Sequence, residues 1–277
     1  MPLSRSELEA LASTHVSKPI PPDVLRRALA SPPFIPTRSL LNIRDLGAVP
    51  GSALPRARFY RSGALDHAAA DPEAVAWLAA HVRRVFDLRK PHEREADPSP
   101  DVPGVETVWF DLIGPHPPPP LDEFVAGGGS DAWRRQYLLV LRVYKPILRA
   151  VLEHVRDRPG EPFLFHCTAG RDRTGVVAGL LQSLAGTSPD DVVFDYMLSR
   201  IGTEVARERL AAFAMSIMGV ADLETPGFWN LVNLTPAYWN AFIEGLREEY
   251  GGWEGYVIKG LGFSKADLER ITKNLRE

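Results

Sequence analysis

The sequence predicts an α/β fold around a mainly parallel sheet flanked by helices, with a helical last third wrapped over the sheet. Three observations carry this expectation. Short apolar runs that end in charge alternate with helical stretches along the chain, the pattern that parallel strands and their crossovers produce. One run, Pro162-Phe163-Leu164-Phe165-His166, is apolar up to its last residue, as a central strand covered on both faces must be. No linker-like segment divides the last third from the rest of the 277 residues, a length that one large domain accommodates.

The elements follow in order. Residues 1–37 read as a proline-punctuated lead-in with two short helices, Ser6–Ser13 and Pro22–Ala30, and residues 38–277 as the main domain. Ser31 to Pro36 (SPPFIP) cannot sustain a helix and reads as extended chain. Asn42-Ile43-Arg44-Asp45-Leu46-Gly47 leads into a short hairpin ending at Phe59-Tyr60-Arg61. Asp71, Pro72 and Glu73 are an N-cap, a first-turn proline and a dipole-matched acid, so a helix runs from there to about His81. Arg84 to Leu88 and Val105 to Phe110 read as strands. The stretch 113–130, with Pro117 to Pro120 and Gly127 to Gly129, packs little core and reads as a mobile surface flap or a lid near a site. Asp131 to Arg156 is one helical stretch, kinked or broken at Pro146. Strand Pro162–His166, a loop from Cys167 to Arg173 and a buried helix Thr174–Ala185 come next. Ser188 caps another helix, and Thr203–Met215, Thr235–Tyr250 and Ser264–Leu275 complete the chain, the last opened by Ser264 and Asp267.

Composition excludes several classes. Apolar residues make up 45% and charged residues 24%, which fits a globular chain and not a disordered one. A net charge of −3 offers no basic field for nucleic acid or an acidic membrane. A single cysteine cannot form an internal disulfide or a cysteine-rich metal cage. Seven histidines are scattered without ligand spacing, so neither a metal nor another cofactor is expected. With no apolar signal core and no run long enough to cross a bilayer, the expectation is a soluble, cytoplasmic, reduced protein.

One constellation carries chemistry. His166-Cys167-Thr168-Ala169-Gly170-Arg171-Asp172-Arg173-Thr174-Gly175 lies between a buried strand and a helix start. A thiolate there is stabilised by the helix dipole and by inward-pointing amides. Five residues between Cys167 and Arg173 let the loop curl into a ring of N–H groups around one tetrahedral anion. Gly170 and Gly175 are expected to take backbone conformations that other residues resist. Arg173 closes the ring with a bidentate guanidinium, and a phosphate monoester is the group such a cradle holds, with sulfur beneath phosphorus for in-line attack. A small buried hydrophobe is the usual fate of a lone cysteine, but packing alone accounts for neither the glycines nor three charged residues here.

These residues resemble the cysteine-dependent protein tyrosine phosphatase superfamily, and within it the tyrosine/serine phosphatase family typified by bacterial tyrosine phosphatase B. The resemblance extends over Asn42 to Gly47, Tyr60-Arg61-Ser62-Gly63, Asp87-Leu88-Arg89 with Glu93, the Cys167 loop, Asp195-Tyr196-Met197-Leu198-Ser199, and Tyr250-Gly251-Gly252…Tyr256…Gly262. Arg171 stands where a lysine is usual, and Ala48 where a second glycine is common. The resemblance implies a tyrosine phosphatase-like fold, residues 38–277 as the catalytic domain, and a phosphorylated protein or phosphoinositide as substrate. By position, Cys167 is the nucleophile, and Thr168, Ala169, Gly170, Arg171, Asp172 and Arg173 bind phosphate. His166 orients the loop, Thr174 either donates to the departing thiolate or caps its own helix, and Glu93 braces an arginine. Three carboxylates compete for the general acid: Asp172, which is preferred, Asp111 and Asp87.

Arg171 adds a second cation, which favours substrates with a distal anion such as phosphoinositides; pairing with Asp172 or a helix terminus would remove that role. Trp229, Tyr238, Trp239 and Phe242 either roof the pocket or belong to the core. A rhodanese-type sulfurtransferase and a catalytically silent phosphate-binding adaptor are the rival functions. The first gives no reason for Arg173 at this spacing, and intact Cys167 and Arg173 count against the second.

Overall fold

The computed structural model describes residues 3–277. Strands β1 (Arg44–Asp45), β2 (Phe59–Ser62), β3 (Arg84–Asp87), β4 (Glu106–Val108) and β5 (Phe163–His166) form one sheet in the order β1-β2-β5-β3-β4. β1 runs antiparallel to β2, as the expected hairpin requires, and every other pair is parallel. The central strand alternates its side chains between two cores. Leu164 joins Tyr60 and Val85 on one face, while Phe163 and Phe165 join Phe59 and Phe86 on the other. The register sets Ser62, His166 and Asp87 side by side. The carboxyl ends of three strands therefore share one row, and the residue after β5 is Cys167. A crevice at that edge is where open parallel sheets bind ligands.

Helices α1 (Arg5–Ala12) and α2 (Pro22–Leu29) open the chain, and α3 (Pro72–His81) covers the smaller core. Asp71 caps α3 by accepting from the amides of Glu73 and Ala74. A short α4 (Pro91–Ala96) was not expected from the sequence. The long helical stretch is broken at Tyr144 into α5 (Ser130–Val143) and α6 (Lys145–Asp157), because Pro146 has no N–H to continue the ladder. The larger core is closed by α7 (Asp172–Ala185), α8 (Pro189–Gly202), α11 (Pro236–Tyr250) and α13 (Lys265–Arg276), with α12 (Trp253–Gly255) between the last two. α9 (Arg207–Met218) begins four residues later than expected, after a tight 3-10 turn at Glu204–Ala206, and a short α10 (Phe228–Val232) follows it. Glu204 is held in that turn by the Ile20 amide and the Arg200 guanidinium.

Segment 113–130 is only in part the loose flap expected. Phe124 is fully buried in an edge contact with Trp133, and Gly127, Gly128 and Gly129 supply the positive φ that leads into α5. The lead-in is docked as well. Arg200 donates to the carbonyls of Thr14 (2.9 Å) and Lys18 (2.7 Å), and the Val16 amide donates to Asn233 Oδ1 at 3.1 Å. Tyr238, Trp239 and Phe242 are core residues, and Trp239 lies so close to Gly179 that a Cβ there would sit 2.3 Å from its ring.

Two buried ion clusters fasten the sheet to the helices. Arg44 and Arg61, both 0% exposed, share the Asp195 carboxylate of α8 at 2.7 and 2.6 Å. Burial works against the Asp195 charge, but the two guanidinium groups outweigh it and hold the carboxyl below its usual range. At the end of β3, Asp87 accepts from Arg89 (2.9 Å) and Arg94 (3.1 Å). Burial opposes its charge too, yet His166 and Arg89 bring the carboxyl down to about 2.

Removing one partner from a buried cluster strands the remaining charges. Asp195→Asn is expected to cost about 3–5 kcal/mol, read by urea denaturation; a loss under about 1 kcal/mol would show that neighbouring carbonyls suffice for the two arginines. Asp87 gives a pH signature. Because its folded value lies below the ordinary 3.8, its contribution is complete above about pH 4 and is lost as pH falls toward 2, amounting to about 2 kcal/mol. Denaturation at pH 5, 3 and 2 should show that loss in the wild type and a shallower one in Asp87→Asn. Equal slopes would place the acid sensitivity elsewhere.

Candidate active site

The loop from Cys167 to Arg171 bends back under the row formed by Ser62, His166 and Asp87. At Gly170 the backbone takes φ +65°, and a Cβ would meet the Ser62 carbonyl oxygen at 2.3 Å, so only glycine fits. Gly175 differs from the expectation: it is an ordinary helical residue, and a Cβ there would find Tyr196 at a comfortable 3.5 Å.

The loop carbonyls are tied down from behind. Asn42 donates to the carbonyls of Ala169 (3.2 Å) and Gly170 (2.9 Å), Arg61 donates to Gly170 (2.9 Å), and the Ala64 amide donates to Thr168 (3.0 Å). Among the described residues, nothing accepts from the amides of Thr168, Ala169, Gly170 and Arg171. Carbonyls fixed on one side and unengaged amides on the other are what an anion cradle requires. Asn42, Arg61, Arg44 and Asp195 thus have a clear task, which the sequence indicated only through the resemblance. The residue-level signal was a pair of arginines in otherwise apolar or motif-rich strand segments.

Cys167 is buried, 2% exposed, at the floor of a cavity of about 170 Å³ whose walls include Thr168, Asp172, Arg173, Val16 and residues of α9. The covering residues are Leu210, Ala211, Phe213 and Ala214, not the aromatic set considered from sequence. Val16, in the lead-in, could not have been assigned to this wall from its surroundings in the chain. A second chamber of about 230 Å³ adjoins the first, sharing Arg171, Asp172 and Arg173 and extending to Lys90, His116, Trp133 and Pro117 to Pro119.

Arg173 makes a two-pronged pair with Glu93, Nη1 to Oε2 at 2.6 Å and Nη2 to Oε1 at 2.7 Å, and Nη1 also reaches the Leu88 carbonyl at 3.0 Å. Thr168 Oγ1 donates to the same carboxylate. Burial opposes charge on Glu93, but Arg173 and these hydrogen bonds hold it well below the usual carboxylate range. Burial likewise opposes charge on Arg173, while Tyr144, Glu93 and Cys167 raise it above its ordinary value. Glu93 therefore braces an arginine, as expected. Tyr144, at the break between α5 and α6, is pushed up to about 12, chiefly by burial; nothing in its local sequence marked it as a neighbour of Arg173.

The Arg171 side chain does not enter the cradle as a free cation. Its Nε bonds both oxygens of Asp172 (2.9 and 3.1 Å), and its other nitrogens reach the carbonyls of Val232 (2.6 Å) and Leu231 (3.3 Å) at the end of α10. Asp172 also accepts from the Tyr137 hydroxyl at 2.9 Å. Since that single proton is committed, Tyr196, 2.8 Å away, must donate to Tyr137.

The three candidate acids separate clearly. Asp172 lines both chambers. Asp87 is 1% exposed, fully engaged by arginines and an anion down to about pH 2, so it holds no proton to give near neutrality. Asp111 is exposed, bonds the Leu112 amide and lines neither chamber. His166 is fully buried with its Nε2 3.7 Å from Asp87, and its imidazole is held below its usual pKa mainly by burial. Thr174 is fully buried and its hydroxyl has no hydrogen-bond partner among the described residues. Among those residues, no group of three or more His, Cys, Asp or Glu side chains is placed to hold a metal ion, and no helix is long and apolar enough to span a membrane.

Comparison with known proteins agrees with this geometry. A tyrosine-protein phosphatase of Nostoc commune is 30% identical over 146 residues, covering 52% of this chain and 49% of that protein. A Cupriavidus necator protein, provisionally named a tyrosine-protein phosphatase, is 27% identical over 251 residues, 83% of this chain and 85% of its own length. The triple specificity protein phosphatase PtpB of Mycobacterium tuberculosis is 29% identical over 124 residues, 40% of this chain and 43% of that protein. The match thus spans about half the length of the Nostoc relative and less of the mycobacterial one. The sequence pattern of the tyrosine phosphatase family, in contrast, fits residues 35–277, which takes in the sheet, the loop and every residue of the cradle: the chain belongs to the tyrosine phosphatase family.

Proposed function

We propose that the protein is a cysteine-dependent, metal-independent phosphatase that hydrolyses phosphate monoesters through a cysteinyl-phosphate intermediate. The observation that carries this reading is the Cys167 thiol in a cavity whose lining includes Thr168, Ala169 and Arg171, with unengaged backbone amides, and a braced Arg173. Phosphoryl transfer asks a protein mainly for position and for donors aimed at the charged oxygens, and that arrangement supplies both.

In the first step the Cys167 thiolate attacks phosphorus, the P–O bond to the leaving group breaks, and a proton from Asp172 passes to the departing oxygen. In the second step water attacks phosphorus, the P–S bond breaks, and Asp172 takes a proton from the water. Thr168, Ala169, Gly170 and Arg171 bind phosphate through their amides and Arg173 through its guanidinium, while the Thr174 hydroxyl, which has no hydrogen-bond partner among the described residues, donates to the departing thiolate. The Tyr137 hydroxyl and Arg171 hold the Asp172 carboxylate at the shared edge of the two chambers.

For substrate we propose phosphotyrosine in proteins, extending to phosphoserine, phosphothreonine and phosphoinositides, and for location the cytoplasm, where a lone cysteine stays reduced. The name of the mycobacterial relative favours such breadth. The lipid part does not rest on Arg171, whose guanidinium is spent on Asp172 and α10. Sulfur transfer and silent phosphate binding are less well served: neither needs a carboxylate such as Asp172 in the wall of the Cys167 cavity.

Cys167→Ser should abolish turnover of p-nitrophenyl phosphate while vanadate still binds, since the amides and Arg173 remain; residual activity above a few per cent would remove Cys167 as the nucleophile. Arg171→Ala should lower kcat/KM for p-nitrophenyl phosphate and for a soluble phosphoinositide by equal factors, because it loosens Asp172 for both. A selective loss on the phosphoinositide would return Arg171 to substrate recognition.

A further inference from the structure

Lys90 is a cation of the second chamber for which the reaction proposed above has no use. It lies half-buried between β3 and α4, and its ammonium has three donors. One is accepted by the His116 carbonyl at 2.6 Å. Among the described residues no carboxylate is ion-paired with it. The adjacent Glu93 is already consumed: Arg173 takes both oxygens, Thr168 bonds Oε1, and the Lys90 backbone amide bonds Oε2 at 2.7 Å. The other cations of the chamber are differently placed, Arg173 being braced by Glu93 and Arg171 by Asp172. His116 is kept neutral near pH 7, since burial, with Lys90 and Arg173 adding to it, brings it down to about 4.

We propose that Lys90 forms a second anion subsite, which receives a carboxylate or phosphate carried on the same small ring as the scissile phosphate. This rests on the phosphatase reading, with the scissile group over Cys167 and the leaving group in the adjoining chamber. The two chambers adjoin along Arg171, Asp172 and Arg173, so an anion at Lys90 belongs to the leaving group itself. At about 230 Å³ the chamber is smaller than pockets for drug-sized ligands, and its walls at Trp133 and Pro117 to Pro119 are flat and apolar, which suits one substituted ring. A flanking acidic side chain of a phosphopeptide would have to enter the same narrow space together with its backbone, which argues against that carrier.

The test compares phenyl phosphate with 3-carboxyphenyl phosphate in the wild type, Lys90→Met and Lys90→Arg. A charge-assisted hydrogen bond at a half-buried site predicts a kcat/KM about tenfold higher for the carboxylated substrate in the wild type. Lys90→Met should bring the ratio to about one, Lys90→Arg should keep most of it, and added salt should weaken it. Each ratio is taken within one protein, so partial misfolding cancels. An absent preference in the wild type, or one that survives in Lys90→Met, overturns the subsite.

Calorimetry of the same two compounds with Cys167→Ser, with and without Lys90→Met, reads the preference as binding. It therefore decides the subsite even if neither compound turns over, an outcome that would sink the phosphatase reading alone. Inositol monophosphate and bisphosphate, free in solution and as headgroups in phosphatidylcholine vesicles, identify the carrier. A preference for the bisphosphate that depends on Lys90 in either form supports the subsite, and its absence in both overturns it. A Lys90-dependent preference seen only between phosphotyrosine peptides with and without a flanking glutamate would assign the lysine to peptide recognition and overturn the ring-borne anion.

Discussion

The site depends on two arginines and one carboxylate buried beneath the phosphate loop. Arg44 comes from β1, Arg61 from β2 and Asp195 from α8. Arg61 then reaches past Asp195 to the Gly170 carbonyl, and Arg44 donates to Asn42 Oδ1 at 2.6 Å, which leaves the Asn42 amide nitrogen to hold the carbonyls of Ala169 and Gly170. Three elements and a loop are locked in one hydrogen-bonded cluster. With two cations against one anion, the cluster carries surplus positive charge. Backbone carbonyls absorb part of it: Arg44 also donates to the Asp195 carbonyl at 2.8 Å. The rest lies directly under the cradle, where it favours any anion bound above. Crowding shows in Arg44, which burial and its neighbour Arg61 together bring down to about 10.

Above the loop the same logic takes another form. Arg173 is held by Glu93 and Arg171 by Asp172, so the charged side chains at the chamber mouth are set before any substrate arrives. Preorganised donors do not have to reorient as charge develops, which is where electrostatic catalysis gains most. The cost is desolvation of each buried ion, offset here by bidentate geometry and by hydroxyl or carbonyl partners on the remaining lone pairs and donors.

The roof is built differently from the floor. Beneath Cys167 every element is core, whereas α9 has no buried residue, and Phe213 and Ile217 on it are more than two-fifths exposed. A helix with so little burial contributes little packing energy. Its place over the cavity is secured by the turn at Glu204 and by the docked lead-in, whose Val16 completes the wall. The floor is thus the rigid part of the site and the roof its weakly anchored part.

Much of this molecule was legible in its sequence because the signals are local. Caps, prolines and apolar runs placed β2, β3, β5, α3 and α13 within a residue or so, and the break at Pro146 followed from one missing N–H. The Cys167 loop could be recognised because its anion-binding geometry depends on consecutive residues and on one glycine, Gly170. Other features required the chain to be folded. Whether Arg171 met substrate or Asp172, and which of Asp172, Asp111 and Asp87 faced the cavity, depended on partners 60 or more residues distant, such as Val232, or on the register of strands β3 and β5. Val16, Tyr144 and α9 reached the site for the same reason. Local sequence sets backbone conformation residue by residue, but a charged side chain takes whatever counter-charge or carbonyl the packed structure brings within reach, and only the tertiary fold decides which that is.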